Sequence, residues 1–303
     1  MTKPYTQITE ENMELALAHF KATGEIMDVL LVCYDQHGKW NGHPFLGDGD
    51  CANLLAQTIP ADRLVKITPN GQNVLLCTLY NLSELPIAID YHHVAGHLIS
   101  NSTPQFSAIN LQTVGGFLDV ALADAVNVPN LKDVGFDFDA GYVTDFSAEK
   151  LQTVGGCLTL NCIKEFNAPN LQTVGRYLHA PHAITFDAPK LQAVYGSLLA
   201  LEAITFNTPS LHTVWIYLNA RSATTFVAQN LQTVNGDLNA DSATTFDAPE
   251  LQTVKGYLNA ESATTFNAPK LVTVGGKLIL PSATWQAVLP LCPVARRKAA
   301  ETL

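Results

Sequence analysis

Four groups of residues carry side chains capable of chemistry. Cys51 follows the turn Gly47-Asp48-Gly49-Asp50, and Asp50 is placed to cap a short helix over 51–58. A thiol at a helix N-terminus ionises more readily, which is what a cysteine nucleophile needs. His43, His92 or His93 would then act as its base; the plainer reading is a turn followed by a buried cysteine. Asp119, Asp137 and Asp139 fall on one face of adjacent repeat units. Paired carboxylates serve acid–base cleavage of glycosides, although the same residues also make a solvated acidic patch. Tyr91-His92-His93-Val94-Ala95-Gly96-His97 offers three imidazoles. His93 and His97 share a strand face but are too far apart to hold one metal without further ligands. The fourth group is aromatic: Phe117, Tyr177, Tyr195, Trp215, Tyr217 and Tyr257. Exposed aromatics are enriched where proteins meet partners; stacked as ladders they would only stabilise a sheet. No phosphate-binding glycine loop and no triad spacing occurs, so no cofactor is expected.

What positions these residues is a repeat. Residues 231–250 read LQTVNGDLNADSATTFDAPE, and 251–270 read LQTVKGYLNAESATTFNAPK. Leucine opens each unit at 111, 131, 151, 171, 191, 211, 231, 251 and 271, always twenty apart. Counting that leucine as place one, Val stands at place four, Leu at eight in most units, Phe at sixteen from Phe146 to Phe266, and usually Ala-Pro at eighteen and nineteen. Residues 91–110 keep the same columns, so ten units run from 91 to 290. A fixed period of this length means stacked coils, because one unit cannot bury its apolar side alone. Within 234–240, Val234, Gly236, Leu238 and Ala240 alternate with Asn235, Asp237 and Asn239, as in a short strand with one buried face. A second extended stretch, 243–248, buries Phe246 and Ala248, and Pro249 turns the chain. Ten coils at about 4.8 Å each make a rod of about 48 Å. The expected fold is mainly β, a parallel solenoid. The glycine at place six is expected to point inward where a thin coil has no room; Arg176 and Ile216 depart from that rule. The aromatic group sits on the strand's outward places, five, seven and nine.

The pattern L-x-x-V-x-G-x-L-x-A resembles the strand segment of receptor L domains and of short bacterial leucine-rich repeats. The resemblance covers about two thirds of the chain. It implies a right-handed solenoid that serves as a binding scaffold, and it carries over no catalytic residue. The helix on the outer side of common leucine-rich repeats has no counterpart here. Separately, Asp48-Gly49-Asp50-Cys51 resembles the D-G-x-C nucleophile motif of OTU-type cysteine proteases over about five residues, with Ala52-Asn53 replacing the usual apolar–aromatic pair.

The ends differ from the repeat. Residues 1–84 read as a small α+β unit capping the first coil. It has an amphipathic helix over 9–23 and a strand over 27–34. A hairpin follows, in which Pro69-Asn70-Gly71 joins 63–68 to 73–80. The solenoid is expected over 85–284, and 285–303 as a C-terminal cap with Trp285 and Leu289 over the last coil.

Composition narrows the function. A net charge of −10 argues against direct nucleic-acid binding, which needs a basic footprint. No apolar run approaches the length of a membrane span and no signal peptide is evident, so a cytoplasmic protein with no membrane contact is expected. The six cysteines have no metal-type spacing and are expected as free thiols. These observations favour a scaffold that holds another protein on its aromatic face. One use of such a face is to inhibit a target, as bacterial immunity or phage anti-defence proteins do. Two alternatives are an acidic mimic of DNA, resting on the carboxylates of 119–149, and a cysteine hydrolase built on Cys51. The sequence leaves the oligomeric state open.

Overall fold

The computed structural model describes residues 91–282 apart from 95 and 101–103, together with Ala22 and the strands Val65–Ile67, Asn73–Leu75 and Leu79–Tyr80. The helix over 9–23 apart from Ala22, the strand over 27–34, Cys51 with its turn, and the C-terminal cap lie outside the described residues.

The repeat folds as a mainly β parallel solenoid of about nine coils of twenty residues. Each coil contributes three short strands. Places three and four pair into a 12-stranded sheet, and places eight and nine into an 11-stranded one. Places fifteen to seventeen form a third face. Equivalent residues pair with equivalent residues along the whole stack: Val214 with Val234, Leu218 with Leu238, Phe226 with Phe246. Strands of two or three residues are too short to persist alone. Stacking gives each of them a partner above and below.

Columns of like side chains fill the interior. The leucines of places one and eight, the valines of place four and the alanines of places ten, thirteen and eighteen are almost completely buried. The place-sixteen phenylalanines form a continuous ring column from Phe166 to Phe266, with centroids 4.6–5.2 Å apart. From Phe206 to Phe266 the rings are stacked, tilted by 4–16°. That offset stacking is favourable beyond the area it buries.

Asn73–Leu75 and Leu79–Tyr80 extend two of the sheets below the first repeat unit. They pair in parallel with His93–Val94 and Leu98–Ile99. Asn73–Leu75 also pairs antiparallel with Val65–Ile67, as the intervening Asn-Gly turn predicts.

Two expectations need correction. Places four to ten do not form one strand. A bend at places five and six separates Thr233–Val234 from Leu238–Asn239, and the same bend recurs in every described coil. Place six is therefore a corner and not part of an inward strand face: the side chains of Phe136, Arg176 and Ile216 are exposed there, while Gly116, Gly156 and Gly196 are buried. The expected tightness does hold in the glycine coils, where a Cβ on Gly156 or Gly196 would lie 2.0 or 2.4 Å from the preceding coil.

The third face is also interrupted. Its strands divide into a group of three ending at Asp145–Ser147 and a group of six starting at Glu165–Asn167. The coil at the break carries Phe138 where its neighbours carry Leu118 and Leu158. Phe138 is fully buried with its ring 5.6 Å from Phe146, and Phe146 is left only partly buried. Two rings occupy the space that elsewhere holds one ring and one leucine, and overpacking of this kind shifts backbone. Phe226→Ala is expected to cost about 3–5 kcal/mol of unfolding free energy, because its ring is buried between two others. Phe146→Ala is expected to cost clearly less. Chemical denaturation followed by circular dichroism measures both, and equal losses would contradict this account of the break.

Candidate functional site

The corner between the first two sheets decides what the solenoid presents to solvent. Neighbouring corners nest closely. A Cβ on Gly155 would lie 2.0 Å from the carbonyl oxygen of Gly135, and one on Gly236 would lie 2.2 Å from that of Ile216. Most coils therefore keep glycine at place five or place six and carry at most one large side chain there. The coil 211–230 carries two, Trp215 and Ile216. Their amides still donate to Val194 and Gly196 carbonyls, each at 3.0 Å. The backbone keeps its bonds, and both side chains project outward.

The result is a ridge. Trp215, Ile216 and Tyr217 are 54, 42 and 38% exposed, and Tyr195 in the preceding coil is 52% exposed. The Tyr195 and Trp215 rings lie 6.0 Å apart at 47°, too tilted for a stacked ladder. Tyr177 is also exposed and leans on His179, with centroids 5.4 Å apart. Burial holds the His179 imidazole below its ordinary pKa, and its Nε2 has no hydrogen-bond partner. Phe117 belongs to a separate group nearer the N-terminal end, between His97 at 4.6 Å and Phe136 at 5.5 Å. Tyr257 is only partly exposed. Burial, with the carboxylates of Asp237 and Asp241, pushes its hydroxyl pKa up.

The outward aromatics expected from the sequence thus share one side of the rod but divide into clusters. Sequence reasoning missed Phe136, Arg176 and Ile216, because it placed position six inside. The available signal was the column itself. A site that holds Gly, Phe, Arg and Ile in different coils is not a tightly packed core position.

Two hollows flank the ridge. One, of about 340 Å³, is floored by Gly115, Gly135, Gly155 and Gly175 and edged by Thr153 and Thr173. The other, of about 620 Å³, lies over Gly256, Gly275 and Gly276, between Lys255 and Lys277.

The polar candidates are occupied with local structure. Asp119 and Asp139 are direct partners in the second sheet. Their Oδ1 atoms accept the backbone N–H of Ala121 at 3.1 Å and Gly141 at 3.0 Å. Asn219 and Asn259 do the same for Arg221 and Glu261, so place nine is a turn-forming position. Asp137 and Asp237 accept the amides of Cys157 and Tyr257 in the next coil. His93 is buried with Nδ1 2.7 Å from the Thr113 hydroxyl, and burial lowers its pKa to about 4. His97 Nδ1 accepts the Phe117 amide at 2.9 Å. Cys157 and Cys162 are free thiols, and burial pushes Cys157 up, away from the thiolate. Among the described residues no group of three or more His, Cys, Asp or Glu could hold a metal, and no helix is long and apolar enough to cross a membrane.

No protein-family model, curated protein or solved structure matches the chain.

Burial, followed by the negative charges of Asp119 and Asp137, raises the Asp139 carboxyl above its ordinary value of 3.8. The native state therefore binds the proton more tightly than the unfolded chain. Stability falls as pH rises from 3.8 through the raised pKa, and the penalty stays in force above it. Asp139→Asn keeps the acceptor for Gly141 and removes the charge. The variant is expected to be more stable than the parent at neutral pH, with the gain fading as pH falls toward 3.8. Urea denaturation at a series of pH values measures this, and a pH-independent difference would refute it.

Proposed function

We propose that the protein is a binding scaffold whose ridge, centred on Trp215, Ile216 and Tyr217 and extended by Tyr195 and Tyr177, holds another protein. The observation that carries this reading is the run of three large apolar side chains at consecutive exposed positions. Exposed runs of this kind are unfavourable for solubility unless a partner covers them. Trp, Tyr and Arg dominate the energetics of protein interfaces, and Arg176 stands at the corner beside Tyr177. The residue pattern shared with short leucine-rich repeats supports the same use, since those scaffolds bind along a strand-bearing face. Cytoplasmic location and a role in inhibiting a target belong to the proposal.

The acidic residues favour this reading over an acidic mimic of DNA. Asp119, Asp124, Asp133, Asp137, Asp139, Asp145 and Glu149 stand at six different places of the coil, spread around it and not in rows along one side.

The test is capture from a lysate of the source organism by the immobilised full-length chain. Parent protein and a Thr225→Ala/Thr245→Ala variant of the opposite face are expected to retain the same partner. Trp215→Ala/Tyr217→Ala is expected to retain at least about tenfold less, with an unchanged circular dichroism spectrum. Equal retention by all three would remove the ridge from the function.

A further inference from the structure

We infer that the partner on this ridge is a second copy of the same chain, packed antiparallel about a two-fold axis that lies between coils 191–210 and 211–230. This rests on the reading of the ridge as an interface. In a two-fold interface, when one residue meets a second across the axis, the second also meets the first, so the surface must complement itself. An axis in the interface plane, parallel to the strands, reverses the rod but leaves each place of the coil facing the same place. Coil 171–190 then faces 231–250, coil 151–170 faces 251–270, and coil 131–150 faces the coil that starts at 271.

The charges on the face fit that arrangement. Exposed Arg176 at place six comes opposite the coil that carries Asp237 at place seven. Asp137 at place seven comes opposite exposed Lys277, also at place seven. Both pairs occur twice in the dimer. Moving the axis by half a coil toward the C-terminus puts Arg176 opposite Lys255, a like-charge clash.

The side-chain sizes fit about the same axis. Trp215, Ile216 and Tyr217 face Tyr195, Gly196 and Ser197, so two of the three large residues meet small ones. Exposed Phe136 faces Gly276, in the floor of the 620 Å³ hollow. Lys255 and Tyr257 face Gly155 and Cys157, and Gly155 lies in the floor of the 340 Å³ hollow. Arg176 faces Gly236. At places five and six, every facing pair from coil 131–150 onward includes a glycine, except Tyr195 with Trp215 at the centre. The projecting side chains of one copy therefore fill the hollows of the other. The contact spans seven coil steps on either side of the axis together, about 34 Å.

Sedimentation velocity of the full chain over a dilution series tests this. The parent is expected to be a dimer. Arg176→Asp sets Asp against Asp237, and Asp237→Arg sets Arg against Arg176; each variant alone is expected to raise the dissociation constant at least about tenfold. A 1:1 mixture of the two variants restores both ion pairs, so it is expected to recover a mixed dimer at parental affinity, as is the double variant. A monomeric parent at all concentrations overturns the inference. If such a monomer still captures a partner through Trp215 and Tyr217, the protein-binding reading stands without it. A dimer insensitive to both charge reversals but lost in Trp215→Ala/Tyr217→Ala rejects this axis and keeps the ridge. A dimer insensitive to all four substitutions places the contact elsewhere and also counts against the ridge.

Discussion

The structure depends on one register: backbone of one coil bonds to backbone of the next so that residues twenty apart lie in line. Ala220 donates to the Asn239 carbonyl at 2.9 Å, and Gln232 donates to that of His212 at 2.8 Å, so the bonds run in both directions along the stack. Each such bond holds like side chains in line. That is why Phe lies on Phe and Leu on Leu, and why no coil has an independent core. A one-residue slip within a short strand would turn that strand's inward side chain toward the surface. The same dependence makes stability a sum over coils and their contacts, with local defects felt locally. The break beside Phe138 is one such defect. The first two sheets pass through it unbroken while the third face parts.

Nesting of the corners gives the outer surface its relief. Glycine at place five or six lets a coil sit close against its neighbour's carbonyl oxygens. Where glycine occupies both places the surface is low, and where one or both carry side chains it rises. The solenoid therefore has a nearly uniform interior and an irregular exterior, and the irregularity is concentrated on one side. Trp215 and Ile216 are the extreme case, since neither place of that corner is glycine. The rises and hollows are set by two residues per coil that lie outside the apolar columns, although a side chain added at a glycine there would displace the neighbouring corner.

Among the described residues, the acidic and histidine groups that look most like catalytic machinery are engaged in local structure. Place-nine Asp and Asn side chains close turns, and place-seven Asp side chains accept amides from the following coil. A carboxylate in the first role can be exchanged for an amide with the same geometry, as Asn219 and Asn259 show by accepting the amides of Arg221 and Glu261. His93 and His97 are engaged through Nδ1 with the next coil in the same way.

By itself the sequence determined the coil length, the stacking, the buried columns and the aromatic content of one side. These follow from periodicity, since a side chain that recurs every twentieth position, such as Leu238 or Phe246, can only be aligned with its own copies. The hairpin at Asn70-Gly71 was legible for the same kind of local reason, the turn chemistry of that dipeptide. Alternation within a unit was misleading. Gly236 fits an inward rhythm between Val234 and Leu238, but a bend and an uninterrupted strand read alike when the residue has no side chain. Only the tertiary structure decided that place six is a corner, because the close approach of the neighbouring carbonyl, not the period of the pattern, sets it. With it came the exposure of Phe136, Arg176 and Ile216, the continuity of the ridge with Trp215, and the hollows on either side of it.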